Sequence, residues 1–351
     1  MIVGAGFSAN AKLPTTSEIT DAFVSMQNAT NVTPAGIQAE ISEILREFWR
    51  DVFAYTGGTA PSFEDHFTLL DLAANAGHNL GKKYSPAKLR AIRRLSLHRV
   101  FEILDSRYRE NDSIRQLVNQ LAEGRNNAIV STNWDIVVEK HLQQQPYTYK
   151  LRMGLIPKQG KLASMKGMPL LKLHGSANWA YCDSCRRLFT YEATDGKGAL
   201  HSWVLLEARD FATLGRSSDE IDRHFNSERE RPSCRSCNAP LSARVATFSY
   251  GKAMGYFQFQ AVWDHALWEL RRAKTWMFIG YSLPDADFQL RHLLKTAQLA
   301  RKKAPKIVVV LRPESGAKRN YERFFGDQLI VQEMTRPEDL VNLIADGTNL
   351  R

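Results

Sequence analysis

The sequence predicts an α/β protein, a parallel sheet with helices on both faces, and three patterns lead to it. In the C-terminal third, β-rich apolar runs at residues 275–280, 306–311 and 328–332 alternate with amphipathic helical stretches at about 257–272, 285–298 and 337–344. Such alternation builds parallel sheets covered on both sides. At the N-terminus, Met1-Ile2-Val3 followed by Gly4-Ala5-Gly6-Phe7-Ser8-Ala9 reads as a strand end, a tight glycine turn and a helix start. Between these, residues 127–131 and the run Leu170-Leu171-Lys172-Leu173 read as buried strands that end in polar residues.

Taken in order, the glycine turn has the geometry that binds phosphate, because glycines admit close backbone approach and a helix N-terminus offers N–H groups. Only three residues precede Gly4, so the expectation is a clipped strand or a start upstream of this chain. From Thr16 to Glu123 the chain reads as helical, with Ile37, Ile41, Ile44, Leu45, Phe48 and Val52 on one buried face. Those faces require cover, from the chain's own sheet or from a neighbouring subunit. Ser62 is the expected cap of a second helix, and a third covers 86–109. Its Arg90, Arg93, Arg94 and Arg99 are expected on a solvated face rather than on nucleic acid. Lys158, Lys161 and Lys166 receive the same reading.

The turn Thr132-Asn133-Trp134-Asp135 follows the strand at 127–131, and ligands of parallel sheets sit at such carboxyl ends. Asn133 and Asp135 can hydrogen-bond ribose hydroxyls or hold a water, although Asp135 also suits the N-cap of a helix at 136–142. His174 is the leading catalytic candidate, since an imidazole moves protons near neutral pH and Gly175 behind it permits close approach. A core histidine is the plainer alternative. Gly280-Tyr281-Ser282-Leu283 closes a third strand end within reach of the same ligand.

The 351 residues hold 44% hydrophobic side chains, enough for a sizeable core, and a net charge of +10 that favours phosphate-bearing partners. No run approaches the roughly 18 apolar residues of a membrane span, and no export signal is seen, so no membrane association and a cytoplasmic location are expected. All four cysteines lie in two Cys-x-x-Cys pairs, Cys182/Cys185 and Cys234/Cys237, separated by 48 residues. Two such knuckles suit one structural zinc, and a long loop between them adds little closure entropy. A redox pair is the alternative.

Together, Gly4-Ala5-Gly6-Phe7-Ser8, the Thr132–Asp135 turn, His174-Gly175, the paired knuckles and Gly280-Tyr281-Ser282-Leu283 occur in the order seen in sirtuins, and the chain resembles that family. The resemblance implies a Rossmann-like sheet with NAD across its carboxyl ends. It assigns NAD contacts to Gly4, Ala5, Gly6, Ser8, Asp135, Gly280 and Ser282, the general base to His174, and the orientation of water and ribose to Asn133. The implied organisation is an NAD-binding domain at 1–15, 125–181 and 241–351, a helical insertion at 16–124, and a zinc module at 182–240 bearing a long inserted loop. Two departures stand out. Sirtuin deacylases follow the glycine turn with Pro-Asp-Phe-Arg, where this chain has Leu13-Pro14-Thr15-Thr16-Ser17. Their Phe-Gly-Glu stretch after the knuckles is matched only by Phe248-Ser249-Tyr250-Gly251-Lys252.

That version looks like the sirtuin-like branch of bacterial antiphage systems, in which the domain hydrolyses NAD as an oligomer. The expected activity is therefore NAD glycohydrolysis by a homo-oligomer, with NAD as substrate and zinc as structural ion. A partner ATPase or a phage-derived activator is compatible with this expectation, and nucleic acid is compatible with the charge but not required. An NAD-dependent lysine deacylase is the alternative within the same chemistry. A non-catalytic NAD or ADP-ribose sensor, or a nucleic-acid-binding subunit of a defence complex, is the alternative outside it.

Overall fold

The computed structural model describes residues 1–24, 33–124, 126–142, 145–149, 167–190, 206–226, 233–239, 241–243, 257–312, 315–326, 329–333 and 339. The strands are β1 (Ile2–Val3), β2 (Ile129–Ser131), β3 (Tyr147–Thr148), β4 (Met168–Lys172), β5 (Trp179–Cys182), β6 (Arg187–Thr190), β7 (Leu241–Ala243), β8 (Thr275–Ile279), β9 (Lys306–Leu311) and β10 (Leu329–Glu333). Seven of them form one sheet in the order β10-β9-β8-β1-β2-β4-β3, and every pair in it is parallel. β5, β6 and β7 form a separate antiparallel sheet.

β1 is two residues long yet occupies the sheet's centre, paired with β2 on one side and β8 on the other. Its neighbours continue the ladder beyond it: Val130 N donates to Met1 O at 2.8 Å and Thr132 N to Val3 O at 3.1 Å. β1, β2, β8 and most of β9 are buried, as expected of strands covered on both faces. The helices Phe257–Arg272 and Phe288–Leu299 pack on each other, and the second starts three residues later than its sequence pattern implied. Of the helix expected at 337–344, all but Asp339 lies outside the described residues. So do Lys158, Lys161, Lys166 and the segment from Phe248 to Lys252.

Between β1 and β2 the chain builds helices Thr16–Phe23, Ala35–Phe53, Phe63–Ala76, Pro86–Arg107 and Asp112–Glu123. Ser62 Oγ accepts from Asp65 N at 3.0 Å and caps the third of these as expected. Their apolar faces join the sheet in one continuous core, so the chain itself supplies the cover they need. Pro86–Arg107 runs through the middle of this helical layer, in contact with Thr16–Phe23, Ala35–Phe53 and Phe63–Ala76. Arg90 is exposed as expected, whereas Arg93, Arg94 and Arg99 depart from the solvated-face expectation. Arg99 is 0% exposed, donating from Nε to Phe23 O at 3.2 Å and lying 3.8 Å from Glu102 Oε2. Arg93 pairs with Asp71 at 2.6 Å and Arg94 with Asp210. A helix enclosed by neighbours on most sides has little solvated face left, and buried guanidinium groups must be met by carbonyls and carboxylates.

The same layer holds a relay whose directions are fixed by its ends. Trp49 Nε1 donates to His66 Nδ1 at 3.0 Å, and Ser96 Oγ donates to Ile92 O at 2.8 Å. His66 therefore carries its proton on Nε2 and donates it to Ser96 Oγ, 2.9 Å away. Burial lowers the His66 pKa to about 3. Below about pH 6.5 the unfolded chain takes up a proton that the folded ring refuses, so stability falls as pH drops through this window, by at most about 1.4 kcal/mol per pH unit. Denaturation midpoints at pH 7 and pH 5 should show that loss in the parent and a smaller one in His66→Phe. Equal losses would place the acid sensitivity elsewhere.

Candidate functional site

Because β1 lies between β2 and β8 and all strands of the large sheet run the same way, the carboxyl ends of β1, β2, β4, β8 and β9 open into one hollow. It is a cavity of about 490 Å³, lined by Ala5, Gly6 and Ser8, by Thr132–Asp135, by His174, by Gly280, Tyr281 and Ser282, and by Arg312 beyond β9. Leu13, Pro14, Thr15, Thr16, Glu64, Val100 and Leu104 close it from the helical layer. The structure thus brings together Ala5, Gly6, Ser8, Asn133, Asp135, His174, Gly280 and Ser282. Gly4 is not among the lining residues, and the four cysteines belong to the separate small sheet, Cys182 at the end of β5 and the other three in the turns beside it.

The glycines are required first by each other. Gly280 has φ +61, and a Cβ on it would stand 2.0 Å from Phe7 N. A Cβ on Gly4 would stand 2.7 Å from Gly280 O, and one on Gly6 2.9 Å from Gly280 Cα. The two turns touch backbone to backbone, with Gly4 N donating to Ile279 O at 3.2 Å and Gly6 N to Gly280 O at 2.8 Å. Phe7 N donates to Gly4 O at 2.9 Å. The N–H groups of Gly4, Gly6 and Phe7 are thereby engaged within the protein.

Asn133 ties β2 into the same joint, donating from Nδ2 to Gly4 O and to Ser8 Oγ, both at 2.9 Å. A carbonyl can only accept, so the amide nitrogen faces the turn and the amide oxygen is its other polar atom. Asp135 lines the cavity and also accepts from Val137 N at 3.0 Å, at the start of helix Val137–Leu142. Trp134 packs into the helical layer, its ring 6.5 Å from Phe67 and 5.9 Å from Phe101. Behind the turn, Lys172 Nζ donates to Asp135 O and lies 3.4 Å from Glu139 Oε1, which also accepts from Tyr149 Oη at 3.0 Å. Burial pushes the Glu139 carboxyl up, against the pull of Lys172.

His174 sits two residues past β4. Its Nδ1 is 3.0 Å from Thr132 O, which can only accept, so the proton is on Nδ1 and the neutral ring's lone pair is on Nε2. Nε2 lies 3.8 Å from Asp287 Oδ1, and Tyr281 Oη donates to Asp287 Oδ2 at 2.7 Å. Burial, together with the neighbouring Asp287, holds the Tyr281 pKa well above its usual value. Sequence reasoning quoted Tyr281, Trp134 and Lys172 within longer stretches but gave them no role, and it passed over Asp287. An aspartate before an amphipathic run reads as a helix cap, and a lysine within an apolar run carries no signal of its partner.

The SIR2-like domain family model matches residues 127–330, more than half of the chain. The chain belongs to the SIR2-like family. No curated protein matches it. Solved structures similar to this SIR2-like chain include a Sir2 homologue mutant in complex with ADP-ribose, at 15% identity and TM-score 0.44, covering 100% of this chain and 92% of that one. Sir2 with p53 peptide and NAD+ is 14% identical, TM-score 0.43, over 100% and 92% of the two chains. Sir2Tm bound to a propionylated peptide is 15% identical, TM-score 0.39, with the same coverage.

The small sheet of this SIR2-like chain has its own core of Ala180, Cys182, Phe189, Cys234 and Leu241. On it the four cysteine sulfurs lie within 4.8 Å of one another, with Cys182–Cys237 and Cys185–Cys234 both at 3.4 Å. Sulfurs held about 2.3 Å from one tetrahedral zinc stand about 3.8 Å apart, so the four can hold one ion. The separations are too long for disulfides. Among the described residues no helix is long and apolar enough to cross a membrane.

Two outcomes are expected. Elemental analysis should find one zinc per chain, and Cys234→Ser should lose the metal and lower the melting temperature. Retention of full stability without metal would remove the ion from the fold. Gly280→Ala should cost more than the general 1 kcal/mol or so of a misplaced alanine, and more than Gly326→Ala, whose φ of +73 is similar but whose surroundings are open. Chemical denaturation of both variants checks the difference.

Proposed function

We propose that this SIR2-like protein is an NAD glycohydrolase that cleaves NAD to nicotinamide and ADP-ribose in bacterial antiphage defence. The observation that carries the reading is His174: its Nδ1 proton is committed to Thr132 O, so the basic Nε2 belongs to the cavity wall that also holds Asn133. Family membership supplies the dinucleotide, and a cavity of about 490 Å³ falls within the ordinary range for small-molecule sites. Ala5 and Ser8 carry the phosphates in this reading, with Gly6 allowing close backbone approach, Asp135 and Ser282 the ribose hydroxyls, and Asn133 the water and the reacting ribose.

In the reaction the ribose C1′–N bond breaks and its electron pair goes to the pyridinium nitrogen, which becomes neutral nicotinamide. Water forms the new C1′–O bond and gives its proton to His174 Nε2. The leaving group is already good, so positioning and electrostatics supply most of what the protein must add. Leu13, Pro14, Thr15 and Thr16 line the cavity where deacylases carry Pro-Asp-Phe-Arg, and this tilts the reading from acyl transfer toward water. An oligomer, and activation by a phage product or partner ATPase, belong to the same proposal.

The test is nicotinamide release from NAD by the purified protein, alone, with phage lysate, and with an acyl-lysine peptide. Release without peptide supports hydrolysis, and acylated ADP-ribose appearing only with peptide would replace it by deacylation. No release under any condition overturns both. His174→Ala should lower the rate by roughly 10² to 10⁴ at an unchanged melting temperature.

A further inference from the structure

We propose that Asp287 is a second catalytic residue of this cavity, its Oδ1 acting with His174 Nε2 as a two-pronged acceptor for the attacking water. The inference rests on the hydrolytic reading above and adds to it a residue that no sequence motif singled out.

The first observation is a distance. Nε2 and Oδ1 are 3.8 Å apart, too far for a direct hydrogen bond yet right for one oxygen placed about 2.8 Å from each. The second is where the carboxylate turns. Asp287 occupies the N-cap position of helix Phe288–Leu299, where an aspartate ordinarily accepts from the helix's first N–H groups, and its side chain makes no cap bond. It turns inward instead, 4% exposed, and gives Oδ2 to the Tyr281 hydroxyl at 2.7 Å. Asp285, two residues earlier, shows the ordinary alternative: it is exposed and paired with Arg291 at 2.9 Å and with Arg323.

The third observation is support from behind. Tyr321 Oη donates to Tyr281 O at 2.7 Å, and the backbone of Tyr281 is pressed against the Gly4 turn. The tyrosine that orients Asp287 lies in the connection 280–287, which is anchored to the joint between β1 and β8 and to helix Lys318–Phe325.

Water has two protons. When one is donated to Nε2 and the other to Oδ1, the oxygen lone pair is aimed away from both acceptors and toward C1′. As the C1′–O bond forms and the C1′–N bond breaks, the first proton passes to Nε2. The imidazolium so formed stands beside the Asp287 carboxylate, which stabilises it. A nucleophile with one proton, such as methanol, can satisfy only one of the two acceptors.

The experiment compares the parent protein with Asp287→Asn, Asp287→Ala and Tyr281→Phe. It measures nicotinamide release, NAD affinity by calorimetry, melting temperature, and the ratio of methyl-ADP-ribose to ADP-ribose formed in dilute methanol. Both Asp287 variants should lose roughly 10²-fold or more in kcat with NAD affinity within threefold. Tyr281→Phe should lose less. Asp287→Ala should raise the methanol-to-water product ratio severalfold, a change that a merely structural role would not produce. A parent protein that releases nicotinamide, is silenced by His174→Ala, and keeps its kcat and product ratio in both Asp287 variants would overturn this inference and leave the hydrolase reading standing. So would a loss confined to NAD affinity. A parent protein that releases no nicotinamide overturns both.

Discussion

The site depends on a contact between two pieces of bare backbone. Gly280, at the end of β8, lies so close to Gly6 and Phe7 that a single added carbon would overlap the chain. That contact holds the carboxyl ends of β1 and β8 at a spacing no side chain could share. Asn133 extends the joint to β2 through Gly4 O and Ser8 Oγ, and Thr132 O extends it to His174. Four strand ends thus behave as one preorganised body, and the geometry a reaction would use exists before any ligand arrives.

The helical layer acts on this joint through one side chain. Trp134 stands between Asn133 and Asp135 in the turn and lines the cavity with them, and its ring packs against Phe67 and Phe101. The turn is held from above by that ring and from below by Lys172, whose ammonium grips Asp135 O. Val100, Leu104 and Glu64 then form the cavity's far wall. A layer inserted between β1 and β2 therefore positions residues of the sheet and lines the cavity with them.

Much of this was legible in the sequence because strands in parallel sheets advertise themselves by apolar runs and their ends by glycine and small polar residues. The run 306–311 became β9 with the same bounds, and the turns after β1, β2, β4 and β8 are the ones that meet. Buried charge was not legible. Arg99, Lys172 and Asp287 each sit in a local pattern with a commoner meaning, a solvated helix face, a strand and a cap. Only their distant partners, Phe23 O and Glu102, Asp135 O and Glu139, Tyr281 and His174, show why water could be removed from them. The glycine turn is a subtler case. Its glycines were read as room for phosphate, and the structure shows that Gly4 and Gly6 make room for Gly280.

Charge along the cavity is uneven, and the unevenness fits the proposed substrate. Asp135 and Asp287 lie toward the β2 and β4 side with His174, while Arg312 lies beyond β9, on the opposite side of β1. NAD is itself uneven, with a cationic ring at one end and two anionic phosphates behind it. In the proposed reaction a carboxylate beside the reacting end would favour the transition state, in which positive charge moves from the ring onto the ribose, and would steady the imidazolium once water had been deprotonated. Phosphates drawn by a chain of net charge +10 would be repelled from that end and held toward the glycine turn and Arg312. In the proposed reading electrostatics would then add to the hydrogen bonds of Asn133, Asp135 and Ser282 in orienting the dinucleotide.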